Sequence, residues 1–198
     1  MTFANSPKKN FIYLSLLSVH YHVFLVVFQD LHPKFVDLLC KLALKTTSIS
    51  YGVINYAEKI QIYGEENVKK KISDHFSYFN NQHKRLSDKF VSIGSCSTMT
   101  TLCSVFQNLP FYNPKKIEGY EMSSKDVERT INFLEKQNDK ELKKNACIGE
   151  RYMLLKNGIK ILKIILKKFP IENIIVTQKG LRDALTEEII LNYEKNKS

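Results

Sequence analysis

Hydrophobic and polar residues along the chain follow two periods, one typical of helices and one typical of strands. Apolar residues recur every three or four positions in six segments, which is the spacing of one helix face. These segments are 31–45, 67–80, the stretch after Gly94, 123–136, 149–168 and a last one from Gly180. Short apolar or β-branched runs predict strands at 46–55, 90–93 and 174–177. Strands therefore alternate with helices, which predicts an α/β domain.

Residue types at the segment ends support these predicted elements. Ser123 stands three residues before Asp126, the spacing of a capping pair at the start of a helix. Pro170 ends the helix predicted over 149–168, because proline has no N–H with which to continue it. Gly52, inside the strand predicted over 46–55, indicates a bulge or a kink.

The first part of the chain contains an apolar run, Phe11–Phe28, that has no Asp, Glu, Lys or Arg. Its length is at the lower edge of the range for a membrane-spanning helix, about 17–25 residues. His20 and His22 lie in its middle and no small-residue cleavage site follows it, so we expect neither a membrane span nor a signal peptide. A buried or exposed apolar helix is the simpler interpretation. Histidines two apart share a face only on a strand, which argues against a metal site here.

The composition is that of one folded, basic domain. The chain has 198 residues, of which 43% are hydrophobic, enough for a sizeable core. The formal net charge of +10 favours polyanionic partners: nucleic acid, polyphosphate or an acidic membrane. Much of this charge is on lysines spaced along predicted helices, such as Lys69–Lys71 and those within 156–168. A solvated helix face is therefore the competing interpretation of the charge.

The four cysteines have no metal-binding pattern. Cys40, Cys96, Cys103 and Cys147 form no C-x-x-C pair and have no accompanying histidine spacing. This pattern predicts a reduced protein with buried thiols, which we place in the cytoplasm, and it argues against a zinc site.

One stretch organises the chain, the segment from Phe90 to Phe106. Phe90–Ile93 predicts a buried strand, Gly94 interrupts it, small hydroxyl residues follow, and helical spacing begins after them. A turn between a strand and a helix can direct backbone N–H groups and hydroxyls at a phosphate, with the helix dipole behind them. An ordinary strand-to-helix loop is the alternative, since short motifs have a high false-positive rate.

Five patches along the chain resemble the Ppx/GppA family of exopolyphosphatases and guanosine pentaphosphate phosphohydrolases. They are Thr46–Val53, similar to the family's T-S-x-x-x-G-V strand; Gly94–Leu102, similar to G-x-x-G-T-x-T-x-L; Tyr112–Ser123, similar to Y-x(6)-G-x-x-L-S; Arg151 with Gly158, similar to R-A-D-x-x-x-x-G; and Ile175–Leu185, similar to V-S-x-x-G-L-R-E-G-L. No single patch is specific. Their common order and spacing carry the resemblance, which covers roughly residues 46–198.

The resemblance implies that residues 46–198 are the second lobe of an actin-like, ribonuclease-H-type α/β fold. Residues 1–45 are then an apolar segment without family match, which we expect to pack loosely. In such enzymes substrate phosphates and Mg²⁺ lie in a cleft between two lobes. The resemblance further implies polyphosphate or a phosphorylated guanine nucleotide as substrate, and it implies no sequence-specific binding of nucleic acid. The residues of this chain expected to contact the substrate are Gly94, Ser95, Ser97, Thr98 and Arg182.

The departures from the family pattern concern the catalytic parts. The family's glycine-rich D-x-G-G-G-S loops and its catalytic glutamate lie upstream of the strand at Thr46. The first 51 residues contain no glycine, so they cannot provide the close backbone approach to a phosphate that such loops make. Ser97 also replaces a glycine, and Met153 replaces an acidic residue.

These departures leave the catalytic residues of the chain unknown and the metal ligands unassigned. We therefore expect a phosphoanhydride hydrolase lobe that is inactive alone and is completed by a separate polypeptide supplying the first lobe. A non-catalytic polyanion-binding or remnant module is the alternative, and a membrane-attached polybasic protein is less favoured.

Overall fold

The structure, a computed structural model, describes residues 10–15, 23–29, 43–82 and 90–179. Near the C-terminus it also describes four separate helical positions, Thr186, Ile189, Ile190 and Tyr193. The strands within these ranges are β1 Asn10–Ser15, β2 Val23–Gln29, β3 Ala43–Ile49, β4 Phe90–Gly94, β5 Tyr120–Ser123 and β6 Asn173–Val176. The helices are α1 Asn55–Tyr63, α2 Glu65–Gln82, α3 Ser97–Phe106, α4 Pro114–Ile117, α5 Ser124–Glu135, α6 Asp139–Lys144 and α7 Tyr152–Lys168, with a 3₁₀ turn at Gly149–Arg151.

The six strands form one mixed sheet in the order β3-β2-β1-β4-β6-β5. The first three strands make an antiparallel meander, and β4 and β6 then extend it parallel to β1. Strand β5 closes the other edge antiparallel to β6. Leu14 pairs with Gly94, and Gly94 pairs with Val176, so β1, β4 and β6 end at one edge of the sheet. We call this edge the carboxyl edge.

The helices bury one face of the sheet in a single core. Met122, Ile174 and Val176 of β5 and β6 are buried with side chains from α2, α3, α5 and α7. Helix α7 lies at the centre of this layer and contacts both α2 and α3. The largest fully buried side chains of the helices include Phe76 and Ile72 of α2 and Leu102 of α3. The core therefore fixes α3, which begins at the carboxyl edge, against the middle of α7.

The predicted boundary at residue 45 is wrong as a boundary of the fold. Strands β1 and β2 are integral members of the sheet, with β1 paired to β4 along five residue pairs, and β3 crosses residue 45. The run Phe11–Phe28 is therefore an antiparallel strand pair where it is described, and its residues 16–22 lie outside the described ranges. Uncharged residues on both faces of a central strand produce the same apolar run as a buried helix, which explains the error.

Two further predictions for this region also differ from the structure. The last residues of the helix predicted over 31–45 belong to strand β3, and the rest of that segment is not described. The strand predicted over 46–55 ends at Ile49. Gly52 lies in a turn, where its N–H donates to Asn55 Oδ1 over 2.8 Å, and helix α1 follows. Helix α1 was not predicted.

Between residues 65 and 179 the predicted elements are confirmed, whereas most of the helix predicted from Gly180 lies outside the described residues. Helix α2 includes the predicted segment 67–80, and α3, α5 and α7 match the segments after Gly94, 123–136 and 149–168. Strands β4 and β6 match the runs predicted at 90–93 and 174–177, and the structure shows that they pair in parallel. The α/β class is therefore confirmed. No helix in the described part of the chain is long and apolar enough to span a membrane.

Candidate functional site

The candidate turn connects β4 to α3 at the carboxyl edge. Strand β4 ends at Gly94, Ser95 and Cys96 form the turn, and α3 begins at Ser97. Cys96 is the N-cap residue, and its Sγ accepts a hydrogen bond from the N–H of Met99 over 3.3 Å. The N–H groups of Ser97 and Thr98 make no hydrogen bond to the described residues. The predicted order of strand, small-residue turn and helix is thus confirmed, and the dipole of α3 favours an anion at this end.

Two glycines of the resemblance patches are required by close packing. A Cβ at Gly94 would lie 2.9 Å from Met99 Cγ and 3.0 Å from Ile174 Cγ2. A Cβ at Gly158, on α7, would lie only 2.0 Å from Thr98 Oγ1. Gly158 therefore lets α7 rest directly on the first turn of α3.

The small hydroxyl residues of the turn differ in exposure. Ser95 and Thr98 are buried, at 5% and 2% of their full exposure, whereas Ser97 is exposed. Thr98 packs against Gly158 and so supports the turn from the core side. The structure brings Gly94, Ser95, Ser97 and Thr98 together, but it leaves only Ser97 openly accessible. Their predicted role in substrate binding stays a prediction, and Arg182 lies outside the described residues.

A network of hydrogen bonds continues the carboxyl edge beyond β6. Thr177 N–H donates to Gly94 O over 3.0 Å and links the ends of β4 and β6. The Glu118 carboxylate accepts from Thr177 Oγ1 over 2.7 Å and from the Gln178 N–H over 2.8 Å. Tyr112 donates its hydroxyl to Gln178 Oε1 over 3.3 Å. The loop before β5 is thereby tied to the end of β6.

Arg151 lies next to this network and was not among the predicted site residues. Its guanidinium carbon is 6.0 Å from the centroid of the Tyr112 ring, at the limit of a cation–π contact. Arg151 is exposed and makes no ion pair within the described part of the chain. The neighbouring acid, Glu150, pairs instead with Lys143 over 3.2 Å. In the sequence, the one feature that pointed to Arg151 was its place in the R-A-D-like patch.

The described parts of the resemblance patches converge at the carboxyl edge. Asn157, on α7 beside Gly158, donates to the carbonyl of Val53 over 2.9 Å. This hydrogen bond joins the patch Thr46–Val53 to the patch of Arg151 with Gly158. The contact of Gly158 with Thr98 joins the same patch to Gly94–Leu102. Tyr112 contacts both Arg151 and Gln178, so the patches Tyr112–Ser123 and Ile175–Leu185 are connected to Arg151 as well. Patches far apart in the sequence therefore form one connected surface.

Half of the lysines expected to attract polyanions are paired with carboxylates. Lys160 pairs with Glu65 over 2.8 Å, and Glu65 also pairs with Lys69 over 3.2 Å. The other pairs on α7 are Lys163 with Glu135 and Lys156 with Asp139. These contacts favour the solvated-face interpretation for Lys69 and for Lys156, Lys160 and Lys163 of α7.

The cysteines and acidic residues offer no metal centre where the chain is described. Cys103 and Cys147 are buried free thiols, Cys96 is a half-buried cap, and Cys40 lies outside the described ranges. Burial raises the pKa of both Cys103 and Cys147, which keeps these thiols protonated and unreactive. No group of three His, Cys, Asp or Glu side chains among the described residues is arranged to hold a metal ion.

Solved structures of phosphatases share this architecture. The Aquifex aeolicus PPX-GPPA enzyme superposes with a TM-score of 0.66 at 16% identity, over 92% of this chain and 57% of that chain. An exopolyphosphatase from Cytophaga hutchinsonii superposes with a TM-score of 0.67 at 14% identity, over 93% and 57% of the two chains. The chain has the fold of the second lobe of a Ppx/GppA phosphatase. The actin-like fold implied by the sequence patches is thus confirmed.

The likeness to Ppx/GppA structures is one of fold. No protein-family model matches the sequence, and no curated protein matches it. The chain spans about three-fifths of the length of the Ppx/GppA structures, 57% of the Aquifex enzyme and 60% of an exopolyphosphatase-like protein. A match over 92% of this chain also includes part of the segment before Thr46, in agreement with the place of β1 and β2 in the sheet.

Proposed function

We propose that the chain is the phosphate-contacting second lobe of a Ppx/GppA-type phosphohydrolase. The complete enzyme would hydrolyse phosphoanhydride bonds in polyphosphate or in guanosine pentaphosphate. A first lobe, supplied by a separate polypeptide, would provide the glycine-rich loops and the catalytic glutamate. The lobe by itself would bind phosphate groups and would not cleave them at a useful rate.

One observation carries this proposal: the described resemblance patches meet at the carboxyl edge. In open α/β folds ligands bind outside the carboxyl ends of the strands. The exposed start of α3 at Ser97 is at this edge, and so is the guanidinium of Arg151, which has no ion pair among the described residues. A helix N-terminus and an arginine are the two features of a protein that suit a phosphate group best.

The described residues do not include a complete set of groups for the cleavage step. Glu118 is a carboxylate of the edge, but its oxygens already accept hydrogen bonds from Thr177 and Gln178. The described residues do not fit a Mg²⁺ site, since such a site needs several oxygen ligands in octahedral geometry. The Mg²⁺ implied by the family resemblance therefore belongs, in this proposal, to the complete two-lobed enzyme.

A non-catalytic phosphate-binding module is the second candidate function. It is favoured by the same exposed cation and by the absence of a described carboxylate free to align a water molecule. Both candidates share the fold and the carboxyl edge, and they differ in whether a complementary lobe restores hydrolysis.

Phosphate release by the purified chain tests the activity proposal. The chain is mixed with Mg²⁺ or Mn²⁺ and either polyphosphate or guanosine pentaphosphate, and free phosphate is measured over time. We expect no release above the blank, because positioning substrate, metal and water needs both lobes.

The intact Cytophaga hutchinsonii exopolyphosphatase serves as the positive control with polyphosphate. Turnover of the chain alone at about 1 per second or faster, reduced in an Arg151→Gln variant, would show that this lobe contains the complete catalytic set.

A further inference from the structure

The side chain of Gln178 connects two points of the loop before β5. Its Oε1 accepts a hydrogen bond from the Tyr112 hydroxyl over 3.3 Å, and its Nε2 donates to the carbonyl of Pro114 over 2.8 Å. A carboxamide can accept and donate at the same time, which an apolar side chain of similar size cannot do. The two hydrogen bonds therefore fix the orientation of the amide.

The backbone of Gln178 is held at the carboxyl edge. Its N–H donates to the Glu118 carboxylate over 2.8 Å, and the Thr177 hydroxyl donates to the same carboxylate over 2.7 Å. The N–H of Thr177 also donates to Gly94 O, at the end of β4. Gln178 therefore places the Tyr112 hydroxyl at a fixed point relative to the ends of β4 and β6.

The Tyr112 ring is a described neighbour of the Arg151 guanidinium, whose central carbon is 6.0 Å from the ring centroid. Tyr112 is half-buried, whereas Arg151 is exposed and has no ion pair among the described residues. A long exposed side chain samples many rotamers, and fixing it when a ligand binds costs free energy. A ring that is held in one orientation restricts the guanidinium beforehand and so reduces this cost.

We propose that Gln178 is a positioning residue for Arg151 and that it acts through the hydroxyl and the ring of Tyr112. This inference rests on the proposed function, in which Arg151 contacts a phosphate group. It gives a role to a residue that the family resemblance leaves without one, because Gln178 stands at an unspecified position of the V-S-x-x-G-L-R-E-G-L pattern.

Binding of pyrophosphate to the full chain, measured by calorimetry, tests the role of Gln178. Gln178→Leu removes both hydrogen bonds of the amide, and Tyr112→Phe removes the hydroxyl but keeps the ring. We expect each variant to bind about fivefold more weakly, the usual effect of losing one hydrogen bond. The double variant should bind no more weakly than Gln178→Leu alone, because both changes break the same connection.

The same substitution in an Arg151→Gln background separates positioning of Arg151 from a general structural effect. There Gln178→Leu should cause no further loss of affinity, because the guanidinium that it positions is gone. A further loss of the same size would contradict the inference, since Gln178 would then act on binding independently of Arg151.

The matched control is Gln107→Leu. The Gln107 amide also holds the loop before β5, since its Nε2 donates to the carbonyl of Lys116 over 3.0 Å, but its other described hydrogen bond is to Cys103 rather than to Tyr112. Gln107→Leu should bind pyrophosphate as the unchanged chain does. Equal losses from Gln107→Leu and Gln178→Leu would overturn the inference and indicate that the general order of the loop is what matters.

The outcomes distinguish this inference from the proposed function. If the unchanged chain binds no pyrophosphate, both fail. If Arg151→Gln weakens binding and Gln178→Leu does not, only this inference fails. Should Gln178→Leu not fold, Tyr112→Phe tests the same connection, and unchanged affinity in that variant would overturn the role of Gln178.

Discussion

At the scale of single residues, the pair Thr98 and Gly158 explains why two distant patches occur together. The two residues are on α3 and α7, and a side chain at position 158 would overlap Thr98. Thr98 looked like a ligand residue in the sequence because it follows a glycine turn. Its burial shows that it also supports the turn by packing, which a sequence pattern alone cannot reveal.

Substitution of Gly158 by alanine tests this contact. Because the new Cβ would lie 2.0 Å from Thr98 Oγ1, Gly158→Ala should lower the free energy of unfolding by about 1–3 kcal/mol. Thr98→Ala removes the overlapping oxygen, so the double variant should be less destabilised than the two single losses together. Urea denaturation of the three variants measures this coupling. Strict additivity would show that the two helices do not meet at these residues.

At the scale of elements, the sequence predicted the long helices with one apolar face, and it missed the strands β1 and β2. Apolar stripes and caps fixed α5 in advance, and its Ser123–Asp126 capping box is present as predicted. The strands β1 and β2 could not be recognised, since their sequences are apolar at successive positions and lack the alternation that identifies a strand. The position of Arg151 near Tyr112 and Gln178 was also not predicted, because these neighbours come from distant segments.

Ion pairs between α2 and α7 make the stability of the folded chain depend on pH. Hydrogen bonds from Lys160 and Lys69 hold the pKa of Glu65 below its usual value. A lowered pKa stabilises the folded chain above the unfolded-state pKa of about 4.3, and this stabilisation is lost as the pH falls through the folded value. Glu65→Gln should therefore destabilise the chain at neutral pH. Since the pair is more than one-third exposed, the loss should be small, about 0.5 kcal/mol.

Urea denaturation at pH 7 and pH 3 measures the effect of Glu65→Gln. The difference from the unchanged chain should be present at pH 7 and should disappear at pH 3. Glu128→Gln, on an exposed position of α5 without an ion pair among the described residues, is the control and should change little. An undiminished difference for Glu65→Gln at pH 3 would mean that the carboxylate charge is not the cause.

At the scale of the whole molecule, the shared direction of β1, β4 and β6 brings the ends of these strands to one edge of the sheet. The connection from β4 to β5 carries the exposed start of α3 and the Glu118 carboxylate, and the turn before α7 carries Arg151, which has no ion pair among the described residues. The sequence patches indicated each connection separately. Only the strand order shows that they share one edge.

The most direct test of this account is a map of where phosphate binds. Amide chemical shifts of the isotope-labelled chain are followed by NMR while pyrophosphate is added. The account predicts shifts at the carboxyl edge, centred on Ser97, Tyr112, Arg151 and Gln178, with little change along α2 and the outer face of α7. Shifts spread over the lysines of α2 and α7, with none at Ser97 or Gln178, would contradict the assignment of the carboxyl edge as the phosphate site.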